Sequence, residues 1–122
     1  MNSTEITAIT NTVRDYVEGM VFNDETKLRR AFHAKAAIIG HFVGGRFEWL
    51  SLDQFAEAIK GPGPAPAGSE AVWDVISVDI TGDSAVVKIN DEFAGLRFTD
   101  TLSLLKLEGA WRIVNKIYYL HG

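Results

Sequence analysis

Apolar side chains recur along this chain with two different periods. Over residues 4 to 22 they fall every three or four positions, placing Ile6, Ile9, Val13, Tyr16, Val17 and Met20 on one stripe of a helix. Asn2 followed by Glu5 has the form of a capping box. Gly19 inside the helix would cost about 1 kcal/mol relative to alanine, which argues for a close packing partner there. Asn23 and Asp24 can cap a second helix to about Phe32, with Leu28, Ala31 and Phe32 inward. Ala36 to Phe42 and Arg46 to Leu50 read as a hairpin turning at Gly44-Gly45. Ser51-Leu52-Asp53-Gln54 is a second capping box, with Leu50 positioned to staple onto Phe55, and Lys60-Gly61-Pro62 ends that helix. Residues 61 to 69, GPGPAPAGS, hold all three prolines and read as a connecting loop, or as a lid over a pocket.

From Glu70 onward the period becomes two. Val72 to Ile80, Ser84 to Phe93, Arg97 to Leu107 and Ala110 to Leu120 form a meander, turning at Gly82-Asp83, Gly95-Leu96 and Glu108-Gly109. Two-residue turns at all three places fix the register. Val78, Val87, Leu104 and Ile113 then share one row, and Ile76, Ile89, Leu102 and Asn115 the next. Asp74, Asp91, Asp100 and Ile117 follow. Phe98 lies opposite Tyr119 on the same face. Three carboxylates on neighbouring strands of an apolar face repel one another and resist ionising. Leu102 and Leu104 fix the parity of Asp100. A single bulge would send Asp74 or Asp91 to the opposite side, so their orientation stays open.

Composition narrows the function classes. The 122 residues form one domain, residues 1–122, able to bury a core, with 47% hydrophobic and 23% charged residues. A net charge of −4 argues against a nucleic-acid partner, and no apolar run is long enough for a membrane span. There are no cysteines, which removes disulfides, thiolate metal sites and a cysteine nucleophile, and fits a cytoplasmic setting. No nucleophile elbow, phosphate-binding glycine loop or dinucleotide fingerprint is present, so neither covalent nor nucleotide chemistry is expected, and no cofactor. The three scattered histidines lack metal-ligand spacing.

The element order is helix, helix, hairpin, helix, then four strands. Together with Phe98-Thr99-Asp100, Leu104-Leu105-Lys106 and Gly109-Ala110-Trp111-Arg112-Ile113-Val114-Asn115-Lys116, it resembles the nuclear transport factor 2-like superfamily. The nearest branch is that of the small putative lumazine-binding proteins, and the resemblance covers essentially the full chain. It implies an α+β fold of three helices packed on a strongly curved antiparallel sheet, forming a cone with an internal pocket. It also implies a homodimer. The superfold hosts isomerases, dehydratases, cyclases and non-catalytic modules alike. Ketosteroid isomerase, a relative, holds an oxyanion with a tyrosine and a neutral aspartate while another aspartate moves the proton. By position Tyr16 and Asp100 match the first two. The base falls close to Gly40, which cannot serve, and His41 is the nearest titratable substitute.

The expected site therefore has Asp100, Tyr16 and His41 as catalytic candidates, with Asp100 and Tyr16 as hydrogen-bond donors and His41 or Asp91 as the base. Met20, Trp49, Asp91, Phe93, Phe98, Asn115 and Tyr119 are expected around an unidentified, partly aromatic organic ligand. Trp73, Val75, Val86, Leu105, Val114 and Tyr118, with Lys88, Arg112 and Lys116, are expected on the convex face as the dimer surface. The activity expected is cofactor-free proton transfer in an isomerase, dehydratase or cyclase. The alternative is a non-catalytic interaction or ligand-binding module.

Overall fold

A computed structural model describes residues 3–122. Helix α1 spans Ser3–Val21 and α2 spans Glu25–Ala31, followed by strands β1 (Phe32–His41) and β2 (Phe47–Ser51). Helix α3 (Leu52–Ala58) leads to β3 (Trp73–Thr81), β4 (Ser84–Phe93), β5 (Leu96–Leu107) and β6 (Ala110–Leu120). This is the expected α+β architecture, with three helices on a curved, unclosed sheet of order β2-β1-β6-β5-β4-β3. All neighbouring strands are antiparallel except β1 and β6. Among the described residues no helix is long and apolar enough to cross a membrane.

Local chemistry explains the ends of these elements. The Asp24 side chain accepts from the Lys27 amide at the start of α2, and the Ser51–Gln54 capping box closes in both directions at the start of α3. Asn2 lies outside the described residues. A Cβ on Gly19 would sit 2.6 Å from the Leu28 backbone nitrogen, so α1 and α2 touch backbone to backbone at the one position that carries no side chain. Ile9, Val13, Tyr16 and Val17 of α1 are fully buried with Ile89, Leu102, Leu104 and Ile113 of the sheet. The segment after α3 is tied back by the Ala65 amide, which donates to the Val21 carbonyl at 2.9 Å.

The register differs from the expected one in three places. The β4–β5 turn is Ala94-Gly95, both with positive φ (53° and 78°), which gives the strands the twist a hairpin prefers. Asp91 therefore lies opposite Phe98, and Ile89 opposite Asp100. The shift is two residues, so every side chain keeps its expected face. A bulge between Val75 and Ser77 in β3 puts Trp73, rather than Asp74, opposite Asp91. Asp74 turns to solvent and Trp73 leaves the convex face. A second irregularity, between Ser103 and Leu104 where β5 meets β6, pairs Leu102 with Lys116 and Asp100 with Tyr118. Lys116 and Tyr118 thus turn inward, while Asn115, Ile117 and Tyr119 turn outward.

Candidate functional site

Two strands and one helix converge on a buried acidic cluster. Tyr16, from the middle of α1, donates its hydroxyl proton to Asp100 Oδ2 of β5 at 2.6 Å; Asp91 Oδ2 of β4 lies 3.4 Å from the same hydroxyl. Tyr16 and Asp100 are fully buried and Asp91 nearly so. One oxygen of each carboxylate, Asp91 Oδ1 and Asp100 Oδ1, has no hydrogen-bond partner. Such orphaned oxygens cost about 1–3 kcal/mol each, so this cluster is a strained polar centre inside an apolar core. Burial, followed by repulsion from the Asp100 carboxylate, pushes the Asp91 carboxyl up to about 8, against a smaller opposing pull from Lys116. Burial and the same two carboxylates push the Tyr16 phenol well above its ordinary value. Tyr16 is thus held as a neutral donor, and Asp91 can both give and take a proton near neutral pH.

Asp91 is the member of this cluster that meets open space. A cavity of about 210 Å³ is lined by Met20, Ile38, Phe42, Arg46, Glu48, Leu50, Phe55, Ala58, Ile59, Pro62, Asp91, Phe93, Phe98, Lys116 and Tyr118. At its mouth Tyr118 donates to Glu48 at 2.7 Å, and Arg46 pairs with the same carboxylate at 3.0 Å. On its inner wall the Lys116 ammonium, 5% exposed, lies over the rings of Phe55 (4.4 Å), Tyr16 (4.8 Å) and Tyr118 (5.5 Å). Among the described residues Lys116 forms no ion pair and no hydrogen bond.

Of the residues expected at the site, Met20, Asp91, Phe93 and Phe98 line the cavity, with Tyr16 and Asp100 directly behind Asp91. Four others belong elsewhere. Asn115 and Tyr119 follow the β5–β6 irregularity to the outer face, where Tyr119 is 64% exposed. His41 pairs with Tyr119 and so shares that outer face, with its ring 5.5 Å from Phe47. Trp49 lies opposite Ile39, itself opposite Ile117, and is 65% exposed. Gly40 faces inward beneath Tyr118, where a Cβ would lie 2.7 Å from the tyrosine ring. The position that carries the base in ketosteroid isomerase is filled here by a neighbour's ring.

Lys116, Tyr118, Glu48, Arg46 and Phe42 were not legible as site residues. The run Ile113-Val114-Asn115-Lys116-Ile117-Tyr118-Tyr119-Leu120 has no strict alternation, so neither parity announces itself. The one available signal is a lysine in a run, Ile113 to Leu120, whose other positions are apolar or aromatic apart from Asn115.

Comparison with known proteins bears on the family and the fold. A family model described as "Putative lumazine-binding" matches residues 4–119. A crystal structure of a nuclear transport factor 2-like protein from Silicibacter pomeroyi is 36% identical, covering 99% of this chain and 100% of that one, with a TM-score of 0.90. Another from Shewanella baltica is 34% identical, covering 100% and 98%, with a TM-score of 0.88. The curated protein aldolase FrzH of Cladobotryum sp is 27% identical over 121 residues, 98% of this chain and 94% of that protein.

Proposed function

We propose that this chain, which belongs to the putative lumazine-binding family within the nuclear transport factor 2-like superfamily, binds a small organic molecule in the Asp91 cavity. There it catalyses cofactor-free proton transfer beside a carbonyl group. The observation that carries this reading is one carboxyl, raised to about 8, standing between an apolar cavity and a Tyr16–Asp100 pair. A base or acid works best when its proton affinity matches the operating pH, and such a group is commonly worth about a hundredfold or more in rate. Of the two candidate bases, Asp91 takes the proton-moving role, and His41 lies on the outer face. Tyr16 and Asp100 hold Asp91 in place and set its charge. Isomerisation, dehydration and cyclisation all begin with such a transfer. So does the aldol chemistry in the name of the Cladobotryum relative. At about 210 Å³ the cavity lies below the usual range of about 300–1,000 Å³ for ligand pockets, which favours one- and two-ring compounds.

The test is a thermal-shift screen of flavin-like, pterin-like and steroid-like compounds, extended to flat one- and two-ring ketones and enols. It uses wild type and Asp91→Leu, followed by a turnover assay of any hit with Asp91→Asn. A compound that stabilises only wild type, and whose conversion Asp91→Asn slows at least a hundredfold, supports the reading. Equal stabilisation of both proteins refutes the site. Binding without turnover leaves the non-catalytic ligand-binding module in its place.

We also propose a homodimer through the convex face. Trp49, Ile39, Ile117, Thr101 and Lys88 form one row across it, and Phe47, His41, Tyr119, Thr99 and Asn90 the next. Trp49, Phe47, Ile117, Tyr119 and Val86 are exposed, an apolar area unusual on a monomer. Light scattering at micromolar concentration should give twice the chain mass, and a monomer mass would refute this assembly.

A further inference from the structure

Lys116 is the buried charge that the proton-transfer reading leaves without a task. Its stem is enclosed by the core and its head lies within 5.5 Å of three ring centroids. It lines the same cavity as Asp91. Ring faces attract an ammonium ion but do not satisfy its three N–H donors, and Lys116 lines open cavity space in which an acceptor can meet them. Among the described residues none serves. Across the cavity mouth Arg46 is already paired with Glu48, and Glu48 accepts from Tyr118. Lys116 is therefore the cation in the cavity wall that is free to receive a ligand atom.

We infer that the ligand carries an anionic or anion-forming oxygen (an enol, enolate or carboxylate on a flat apolar frame) and that the Lys116 ammonium receives it. This rests on the ligand cavity proposed above and adds the class of molecule it takes. The frame is flat because the walls offer ring faces: Phe42 and Phe98 stack at an interplanar angle of 4°, with Phe55 and Tyr118 beside them. An oxygen on Lys116 places the rest of the ligand along the wall that also presents Asp91. When Asp91 removes a proton from a carbon next to a carbonyl, the electron pair moves onto the carbonyl oxygen. A neighbouring ammonium stabilises that developing charge without giving up its own proton.

The test uses a matched pair of probes, 2-naphthoate and 2-naphthamide, of nearly equal size and shape. Titration calorimetry follows both on wild type, Lys116→Met and Lys116→Arg, with melting curves confirming that each variant folds. Wild type should bind the carboxylate at least about tenfold tighter than the amide, as expected for a charge-assisted hydrogen bond. Lys116→Met should abolish that preference, and Lys116→Arg should keep it. Should Lys116→Met fail to fold, wild type labelled with 13C at lysine Cε supplies the readout. One buried lysine resonance should then move with naphthoate and not with naphthamide. Equal affinity of wild type for the two probes overturns the inference while leaving the ligand cavity intact. A preference that survives in Lys116→Met also overturns it. Binding of neither probe overturns the inference together with the cavity reading. A covalent adduct at Lys116, trapped by borohydride with an aromatic aldehyde and found by intact mass, overturns it in favour of imine chemistry.

Discussion

Asp91→Asn isolates one proton in the stability of this protein. In the unfolded chain an aspartate carboxyl titrates near 3.9, whereas in the folded protein burial and the Asp100 carboxylate push Asp91 up to about 8. Between those two values the folded state holds a proton that the unfolded state has lost. The slope of stability with pH is set by protons bound unfolded minus protons bound folded, so here it is negative. Stability contributed by Asp91 is fully present below about pH 4 and is lost as pH rises toward 8. One proton corresponds to about 1.4 kcal/mol per pH unit. From pH 5 to pH 7 the loss is then about 3 kcal/mol as an upper bound, roughly 10 °C of melting temperature for a domain of this size.

Asparagine has nearly the same shape and no proton to lose. The assay is a pair of urea or thermal unfolding curves at half-unit steps from pH 5 to 9, wild type against Asp91→Asn, at constant ionic strength. Subtraction removes the surface carboxylates and the histidines common to both proteins. Relative to the variant, wild type should lose stability steadily up to about pH 8 and then level off, leaving Asp91→Asn the more stable protein at pH 9. A difference that stays flat from pH 5 to 8 would show that Asp91 is ionised throughout and would remove the basis for its proton-transfer role.

Other positions test separate parts of the structure. Tyr16→Phe removes the hydroxyl that Asp100 Oδ2 accepts from, and denaturant unfolding should show a loss of about 1–3 kcal/mol. Gly40→Ala would set a Cβ 2.7 Å from both the Tyr118 ring and its carbonyl oxygen. A destabilisation of about 1–3 kcal/mol should follow, and an unchanged melting temperature would refute the packing. Asp74→Ala should stay within about 0.5 kcal/mol of wild type in denaturant unfolding, because the β3 bulge has put this side chain in solvent.

The helices and the order of strands could be read because their signals are local. The Ser51–Gln54 box and the Asp24 cap lie within one turn of the backbone they satisfy, and Gly19 marked the contact with Leu28. The pairing of Asp100 with Tyr16 came through a family resemblance and not through spacing, since 84 residues separate the two. Asp91 was reachable because a two-residue error in the β4–β5 turn preserves parity. What could not be read was anything that depends on a one-residue irregularity. Asn115 and Tyr119 follow simple alternation in the sequence and lie beyond the β5–β6 irregularity, while Asp74, whose orientation stayed open on that ground, lies beyond the β3 bulge. His41 and Trp49 belong to the first hairpin, whose facing is set by where β1 meets β6 and not by its own sequence.

The irregularity in β6 is also where the chemistry of the cavity is decided. In a flush register the inner face of β6 would carry Asn115, Ile117 and Tyr119. In the folded protein it carries Lys116 and Tyr118, and Ile117 is left 52% exposed. Burial alone favours the first arrangement, since a fully buried isoleucine contributes about 1.5–3 kcal/mol and a buried ammonium is a liability. Specific contacts offset that preference. Gly40 leaves room for the Tyr118 ring, Glu48 accepts its hydroxyl proton, and three rings surround the lysine head, each such face being worth about 0.5–2 kcal/mol. A chain that departs from its own apolar pattern here, and supports the departure with a glycine, a carboxylate and three aromatic rings, breaks a local rule of the kind that marks functional sites, which supports the proposed cavity. The bulge gives up a well-packed isoleucine to set an ammonium in the same cavity wall as Asp91.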